Sequence, residues 1–260
     1  MEDGMNRIYW DEDKICFLTN QMHTEAHKHW VMQLFLSLEE DVELWVEGEG
    51  VVGGCIVVNK NTSHVFKCDK GWYFSILIAP TSSLYRILSQ RMQGQNYYVV
   101  ESPQLKEVRQ LAQKLTLDTN KQLNDYEQFI DQLYECLHIQ EEALQYDERI
   151  EVLLQLVDAC ICSDHSISEY GKEIALSQSR LVHLFKKQVG MPFKNYILLH
   201  QMKKAFIAFT EGQSITQAAM DAGFDSPSHF AATMKKMIGM SATLCLKDSQ
   251  FLKVTSKKMK

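Results

Sequence analysis

SQSRLVHLFKKQVGM, residues 177–191, and SPSHFAATMKKMIGM, residues 226–240, decide how this chain is read. Laid over each other at a shift of 49 residues, six of the 15 positions are identical: two serines, two lysines, a glycine and a methionine. Leu181/Phe230 and Phe185/Met234 are apolar in both copies. Each copy opens on a serine suited to cap a helix and closes on a glycine suited to end one. A short capped segment and a tight turn precede each, which is the order of a helix-turn-helix. Helical hairpins of this length are common, so one copy would say little. Two copies with cationic second helices say much more.

In the first copy Leu181, Leu184, Phe185 and Val189 fall on one face at helical spacing. Ser179, Arg180, Val182, His183 and Lys186 then point away from it. A helix entering the major groove needs short polar groups near its N-terminus for base edges and cations further along for phosphates. Arg180 suits guanine O6 and N7, Val182 suits a thymine methyl, and Lys186 or Lys187 suits the backbone. The second copy presents Ser228, His229, Ala232, Lys235 and Lys236. Its lysines can hold phosphate, but its alanines offer no hydrogen bonds, so this copy should add affinity and shape reading more than base discrimination.

Between the copies, 192–211 reads as a 20-residue helix, about 30 Å long at 1.5 Å per residue. Phe193, Tyr196, Ile197, Met202, Ala205, Phe206 and Phe209 would bury it between the two units. Such a rod could set two reading helices roughly one DNA turn, about 34 Å, apart. Helix signals extend upstream, with Asp147, Ser168, Ser177 and Ser214 or Thr216 as candidate caps, and Pro227 sits at a first helical position. The expected helix-turn-helix units are 166–190 and 214–239, within a DNA-binding domain at 147–260.

The other half reads differently. Runs rich in Val, Ile and aromatics at 15–19, 31–38, 42–46, 51–58, 64–68 and 72–79 alternate with polar turns, so 14–79 should be strands of a barrel or sandwich. Helices are expected over about 103–137. Leu123, Tyr126, Ile130, Leu133 and Leu137 repeat every three or four residues, a spacing that serves equally a dimer seam or packing on the chain's own sheet. The polar stretch 138–146 is the expected linker. The fold class is therefore α+β in two domains: a β-barrel with helices of its own at 1–137, then an all-α tandem helix-turn-helix domain.

Composition agrees with that division. Residues 1–146 hold 12 Lys+Arg against 22 Asp+Glu, while from Ser177 onward the count is 13 against 4. An overall charge of −6 thus conceals a basic C-terminal part, as expected when an acidic regulatory domain joins a DNA-binding one. The seven cysteines are scattered without a CxxC pair, which argues against a zinc or disulfide framework and suits a reducing cytoplasm. No apolar run is long enough to span a bilayer, and the N-terminus is acidic, so neither a membrane span nor a signal peptide is expected.

The residues Ser177, Leu181, 184–190 (LFKKQVG), Pro192-Phe193, Tyr196, Lys204-Ala205, Ser214-Ile215-Thr216, Ala219, Gly223-Phe224, Ser226, Phe230, Lys235-Lys236 and Gly239 resemble the AraC/XylS family of regulators. The resemblance covers about 147–248. Three positions depart from it: Gln201 where an arginine is usual, Met234 for a phenylalanine, and Ala242 for a proline. The resemblance implies an N-terminal cupin-like domain that senses a small molecule, dimerisation by the helices that follow, and an activator that works with RNA polymerase. His27, His29, Gln33 and His64 are similar to the two cupin motifs. In cupin enzymes the matching positions hold a metal, with an acid where Gln33 stands. An effector site is thus expected at these four, and His27, His29 and His64 could take a divalent metal. Two rival functions stay open: a metal-dependent cupin enzyme, and a regulator that works by protein contacts without DNA. No nucleophile–base set or phosphate loop is found, so an enzyme is not expected.

Overall fold

The protein is seen in a computed structural model that describes residues 6–11, 13–20, 22–68, 71–117, 121–140, 145–159, 166–239 and 249–254. The chain forms two compact units, Met1–Ala143 with Lys236–Lys260, and Leu144–Lys235. The two-domain α+β arrangement expected from the sequence is present. Its boundary is not as expected: the last residues belong with the first unit, and 147–260 is not one body. Part of the expected linker, 141–144, lies outside the described residues, as do Met240, Ala242 and the terminal lysines 257, 258 and 260.

The first unit is built on strands β1 (Asn6–Trp10), β2 (Lys14–Thr19), β3 (Met22–His23), β4 (Met32–Ser37), β5 (Val42–Val46), β6 (Glu49–Gly53), β7 (Cys55–Val58), β8 (His64–Cys68) and β9 (Tyr73–Ile78). Helix α1 (Ser83–Met92), β10 (Tyr97–Val99), α2 (Leu105–Lys114) and α3 (Gln122–Cys136) follow, and β11 (Ser249–Lys253) comes from the far end of the chain. Seven strands make one sheet in the order β10-β7-β4-β9-β2-β1-β11, and β3-β8-β5-β6 make a second. The expected closed barrel is therefore corrected to two sheets. The apolar run 51–58 splits at Gly53-Gly54, where a β-carbon on Gly54 would collide with the Arg109 guanidinium, and its halves go to different sheets.

Strands β2, β4 and β9 are buried at every position, which explains why their sequences are continuous apolar runs rather than alternating ones. Along β4 the pleat sends Met32, Leu34 and Leu36 into a core shared with Val108, Tyr126 and Phe129 of the helices. The residues between them face the second sheet, where Phe35 meets Phe66 at 4.9 Å and Phe66 meets Tyr73 at 4.5 Å. Gln33 and Ser75 lie in that same inter-sheet layer.

Helix α3 corrects the expected dimer seam. Tyr126, Ile130, Leu133 and Leu137 are buried in their own subunit's core, and of the five seam candidates only Leu123 is exposed. Phe74 stacks on Phe129 at 4.5 Å, and Tyr9 stacks on Tyr126 at 4.4 Å. The Tyr9 hydroxyl also donates to Gln122 Oε1 at 2.7 Å. Two interleaved needs, a helix partner and a sheet partner, give the same three-and-four spacing; here the sheet takes it.

Strand β1 was not expected. It pairs antiparallel with β2 and parallel with β11, Asn6 opposite Ser249 through Trp10 opposite Lys253. Arg7 fixes it further, donating to the carbonyls of Leu115 at 3.0 Å and Thr116 at 3.2 Å. Beside it Lys14 is buried, with its ammonium 2.8 Å from Asp11 and 2.7 Å from Asp13. No helix among the described residues is long and apolar enough to cross a membrane.

Among the described residues the second unit is all helix: α4 (Glu148–Ala159), α5 (Ile167–Glu173), α6 (Gln178–Val189), α7 (Phe193–Thr210) and α8 (Ile215–Asp221). Helix α9 (Pro227–Ile238) starts in it, and the last three residues of that helix belong to the first unit. Ser166, not Ser168, precedes α5. The sequence from Asp147 reads as one helix to about Cys162, and its part beyond Ala159 lies outside the described residues.

Candidate nucleic-acid interface

Local chemistry defines both copies of the repeat. Ser177 Oγ accepts from Arg180 N at 3.4 Å, and Gly190 in the left-handed region (φ 80°) ends α6. Ser214 Oγ accepts from Gln217 N at 3.2 Å, and Ser226 Oγ accepts from His229 N at 3.0 Å. The two turns differ by one residue. In the first, Ala175 takes φ 53°; in the second, Gly223 takes φ 88°, a conformation that is free of strain only for glycine. Helix α5 lies close on its turn: a β-carbon on Gly171 would stand 2.7 Å from the Leu176 carbonyl.

Beneath α6, Leu181, Phe185 and Val189 are buried. The Phe185 ring lies 4.9 Å from Phe193 and 5.3 Å from Tyr196 of α7, and Tyr170 of α5 meets Phe193 edge-on at 5.6 Å. The outer face carries Ser179, Arg180, His183, Lys186 and Lys187, all exposed, with Val182 half-buried. On α9, Ser228, Ala232, Lys235 and Lys236 are exposed while Phe230, Met234 and Ile238 are buried. His229 is half-buried, packed edge-on to Phe224 at 5.4 Å with Nδ1 3.1 Å from Asp225. Its ring is thus already engaged within its own unit.

The connecting helix α7 has 18 residues, about 27 Å, slightly shorter than expected. Phe193, Tyr196, Ile197, Met202, Ala205 and Phe206 are buried and Phe209 is half-buried. Gln201 is buried too, and its amide donates to the Gly223 carbonyl at 2.7 Å. The neutral side chain thus ties the rod to the second turn. Met234, the second departure from the family pattern, fills the core under α9.

The four residues expected to form an effector site in the first unit do come together. His27 and His64 are cross-strand neighbours with ring centres 4.3 Å apart, and His29 lies 5.6 and 5.1 Å from them. Each Nδ1 lies 2.9 Å from a backbone carbonyl, of Glu25, Val31 and Thr62 respectively. Carbonyls only accept, so each Nδ1 carries the proton and each Nε2 is bare when the ring is neutral. Burial keeps the rings neutral. It pulls His29 down to about 4 and, with the neighbouring rings, His64 down to about 3, and it lowers His27 as well.

Gln33 faces this set. Its Oε1 lies 2.8 Å from His29 Nε2 and 2.9 Å from His64 Nε2, and its Nε2 lies 2.7 Å from Ser75 Oγ. Two bare nitrogens against an oxygen repel. The amide satisfies them in either of two ways. Turned over, it gives one N–H to each ring and accepts the Ser75 hydroxyl. Left with its oxygen inward, it joins the nitrogens as a fourth ligand atom around a cation. His27 Nε2 is buried with no hydrogen-bond partner in either case. A further feature escaped the sequence reading: an open groove of about 680 Å³ lined by Val52, Val99, Glu101, Arg109 and Gln113. The Arg109 guanidinium there bonds the Ser37 carbonyl at 3.0 Å and Asp41 at 2.9 Å.

A helix-turn-helix domain family matches residues 170–247. The chain is similar to LumQ, a probable transcriptional regulator of Photobacterium leiognathi, at 26% identity over 230 residues, covering 84% of this chain and 90% of that one. It is similar to the invasion protein InvF of Salmonella typhimurium at 29% identity over 80 residues, which is 30% of this chain and 37% of InvF. In fold it is similar to ToxT from Vibrio cholerae, with a TM-score of 0.55 at 14% identity over 91% of this chain and 98% of that one. Two capped, cationic second helices joined by a buried rod agree with the matched domain: residues 170–247 carry a helix-turn-helix domain, in a chain that is similar to LumQ over most of its length and shares the fold of ToxT.

Proposed function

We propose that the chain binds double-stranded DNA sequence-specifically through α6 and α9. In this reading Ser179, Arg180, Val182 and His183 read bases in one major groove, and Ser228, His229 and Ala232 face the next. Lys186, Lys187, Lys235 and Lys236 hold phosphates. The carrying observation is the exposed polar and cationic face of α6, set on a fully apolar underside that α7 locks in place. The working partners are RNA polymerase and a ligand held at the histidine cluster, and the working compartment is the cytoplasm. A homodimer has to form through a surface other than the buried stripe of α3. Catalysis is not proposed: the donor facing the three histidines is a neutral amide already bonded within the set.

Selection of DNA sites by the full-length chain tests this reading. Two short motifs about one turn apart are expected; enrichment of no sequence would overturn it. Arg180→Ala should cost about 1–3 kcal/mol at the selected site and relax preference at one base pair. A uniform loss across sequences would move base reading elsewhere.

The double substitution Lys235→Ala with Lys236→Ala should weaken binding to all sequences alike. It should also flatten the plot of log affinity against log salt by about two units of slope, since each phosphate contact releases close to one counterion. An unchanged slope, measured by fluorescence anisotropy, would show that α9 does not touch the backbone.

A further inference from the structure

We propose that the outer edge of β6 receives an added strand from a partner protein: an extended basic peptide that places a lysine or arginine opposite Gly50 and an apolar residue opposite Val52. The inference rests on the first unit alone and stands whether or not the chain binds DNA.

The bent run 49–58 gives its halves, β6 and β7, to different sheets. One side of it is covered throughout: β5 pairs with β6, the Ser37 amide donates to the Gly54 carbonyl at 3.0 Å, and β4 pairs with β7. On the other side β10 pairs with β7 alone. That pairing ends where the Val100 amide donates to the Cys55 carbonyl at 2.9 Å, and the chain then leaves for α2. Among the described residues no strand pairs with the outer side of β6. The groove of about 680 Å³ lies at this step, lined by Val52 and Gly53 of β6 and by Val99, Glu101 and Lys106.

Main-chain alternation decides what β6 offers. The Glu47 amide donates to the Ser63 carbonyl at 2.8 Å, toward β8. Successive residues turn their main-chain groups to opposite sides, so Val46 and Leu44 turn toward β6 and meet Glu49 and Val51. Gly50 and Val52 then direct their N–H and C=O groups outward. Such a row pairs readily with another extended backbone, and β6 (EGVVG) carries no lysine or proline that would deter one.

Side chains choose the partner. Gly50 and Val52 share the outer face with Trp45 and Glu43, which stand opposite them on β5. Trp45 is 49% exposed and Val52 61%. Gly50 has no side chain to screen its neighbours: a β-carbon there would lie 2.8 Å from Glu43 Oε1. A carboxylate and an indole are thus within reach across the glycine from the open edge. A lysine or arginine on an incoming strand, opposite Gly50, meets both, as an ion pair and as a cation over a ring. Two residues along the same strand, an apolar side chain covers Val52. Residues 39–49 hold six acids and no cation. That field attracts a basic segment and repels a second copy of the same edge.

Selection from a random displayed-peptide library on the whole chain tests the site. It should enrich segments with lysine or arginine two positions from valine, isoleucine or leucine. The winning peptide, made synthetically and followed by fluorescence anisotropy, should lose at least tenfold in affinity for Val52→Pro, which removes an outward amide at an exposed position. Glu43→Lys should cost as much, and because it alters only the solvent side it keeps the test decisive if the proline distorts β6. N-methylation of the peptide should abolish binding at alternate residues and be tolerated at those between. Absence of enrichment, binding that survives Glu43→Lys, or equal tolerance of N-methylation at every position would overturn the proposal. So would a wild-type dimer in sedimentation that Val52→Pro splits, because the edge would then belong to a second copy of the chain.

Discussion

Leu133→Asp should unfold the first unit and should not yield a folded monomer. Leu133 is fully buried on α3, inside the core formed with Phe74, Tyr126 and Phe129. An unpaired carboxylate there has no partner and no water, and the cost exceeds about 4 kcal/mol, a large part of the roughly 5–15 kcal/mol that holds a domain together. On a seam between subunits the same substitution would split a dimer and keep each half folded. Circular dichroism and sedimentation together separate the two outcomes. Loss of the native β signal is expected; a folded, lighter species would restore the seam to these residues. Leu123→Asp, on the exposed side of the same helix, should leave both signals intact.

The second large effect falls on the reading unit. Phe185→Ala removes the ring that joins α6 to Phe193 and Tyr196 of α7, at an expected cost of about 3–5 kcal/mol. Helices of this length do not stand alone in water; they persist by packing an amphipathic face. The unit should therefore melt at much lower temperature, and DNA binding should be lost at both motifs, not only the one read by α6. Phe185→Leu keeps most of the apolar contact and should cost under about 1.5 kcal/mol, so it should retain binding. Thermal melts and anisotropy on the same samples check both. A Phe185→Ala protein that binds normally would mean α6 is not held by this aromatic cluster.

The sequence carried the second unit unusually well, and the reason is local. Ser177, Ser214, Ser226, Gly190 and Gly223 write helix ends into the chain within a few residues of where they act, and the repeat at 49 residues multiplies that signal. Only the cap of α5 shifted, from Ser168 to Ser166, in a stretch with serines at alternate positions. The first unit was harder because its signals are long-range. Six strand runs were legible from β-branched and aromatic content. Strand β1 (NRIYW) hid within a charged N-terminus, and nothing near 249–253 says that this segment seeks a partner at residues 6–10. Tyr126, Ile130, Leu133 and Leu137 share one buried apolar face, while Leu123 at the same spacing is exposed. Which surface that face meets is not contained in the spacing. His27, His29, Gln33 and His64 are singled out by resemblance and do meet, yet the orphaned Nε2 of His27 becomes visible only once the strands are assembled.

The pairing of β1 with β11 has a bearing on how the protein comes into being. A ribosome delivers the first of these strands long before the second, so β1 is the outer edge of the larger sheet until 249–253 arrives and β11 takes that place. An uncovered edge is a template for stray pairing with other chains, and covering β1 with so distant a segment is slow. Chains in which 249–253 has not yet paired should accordingly be the ones most prone to stray association.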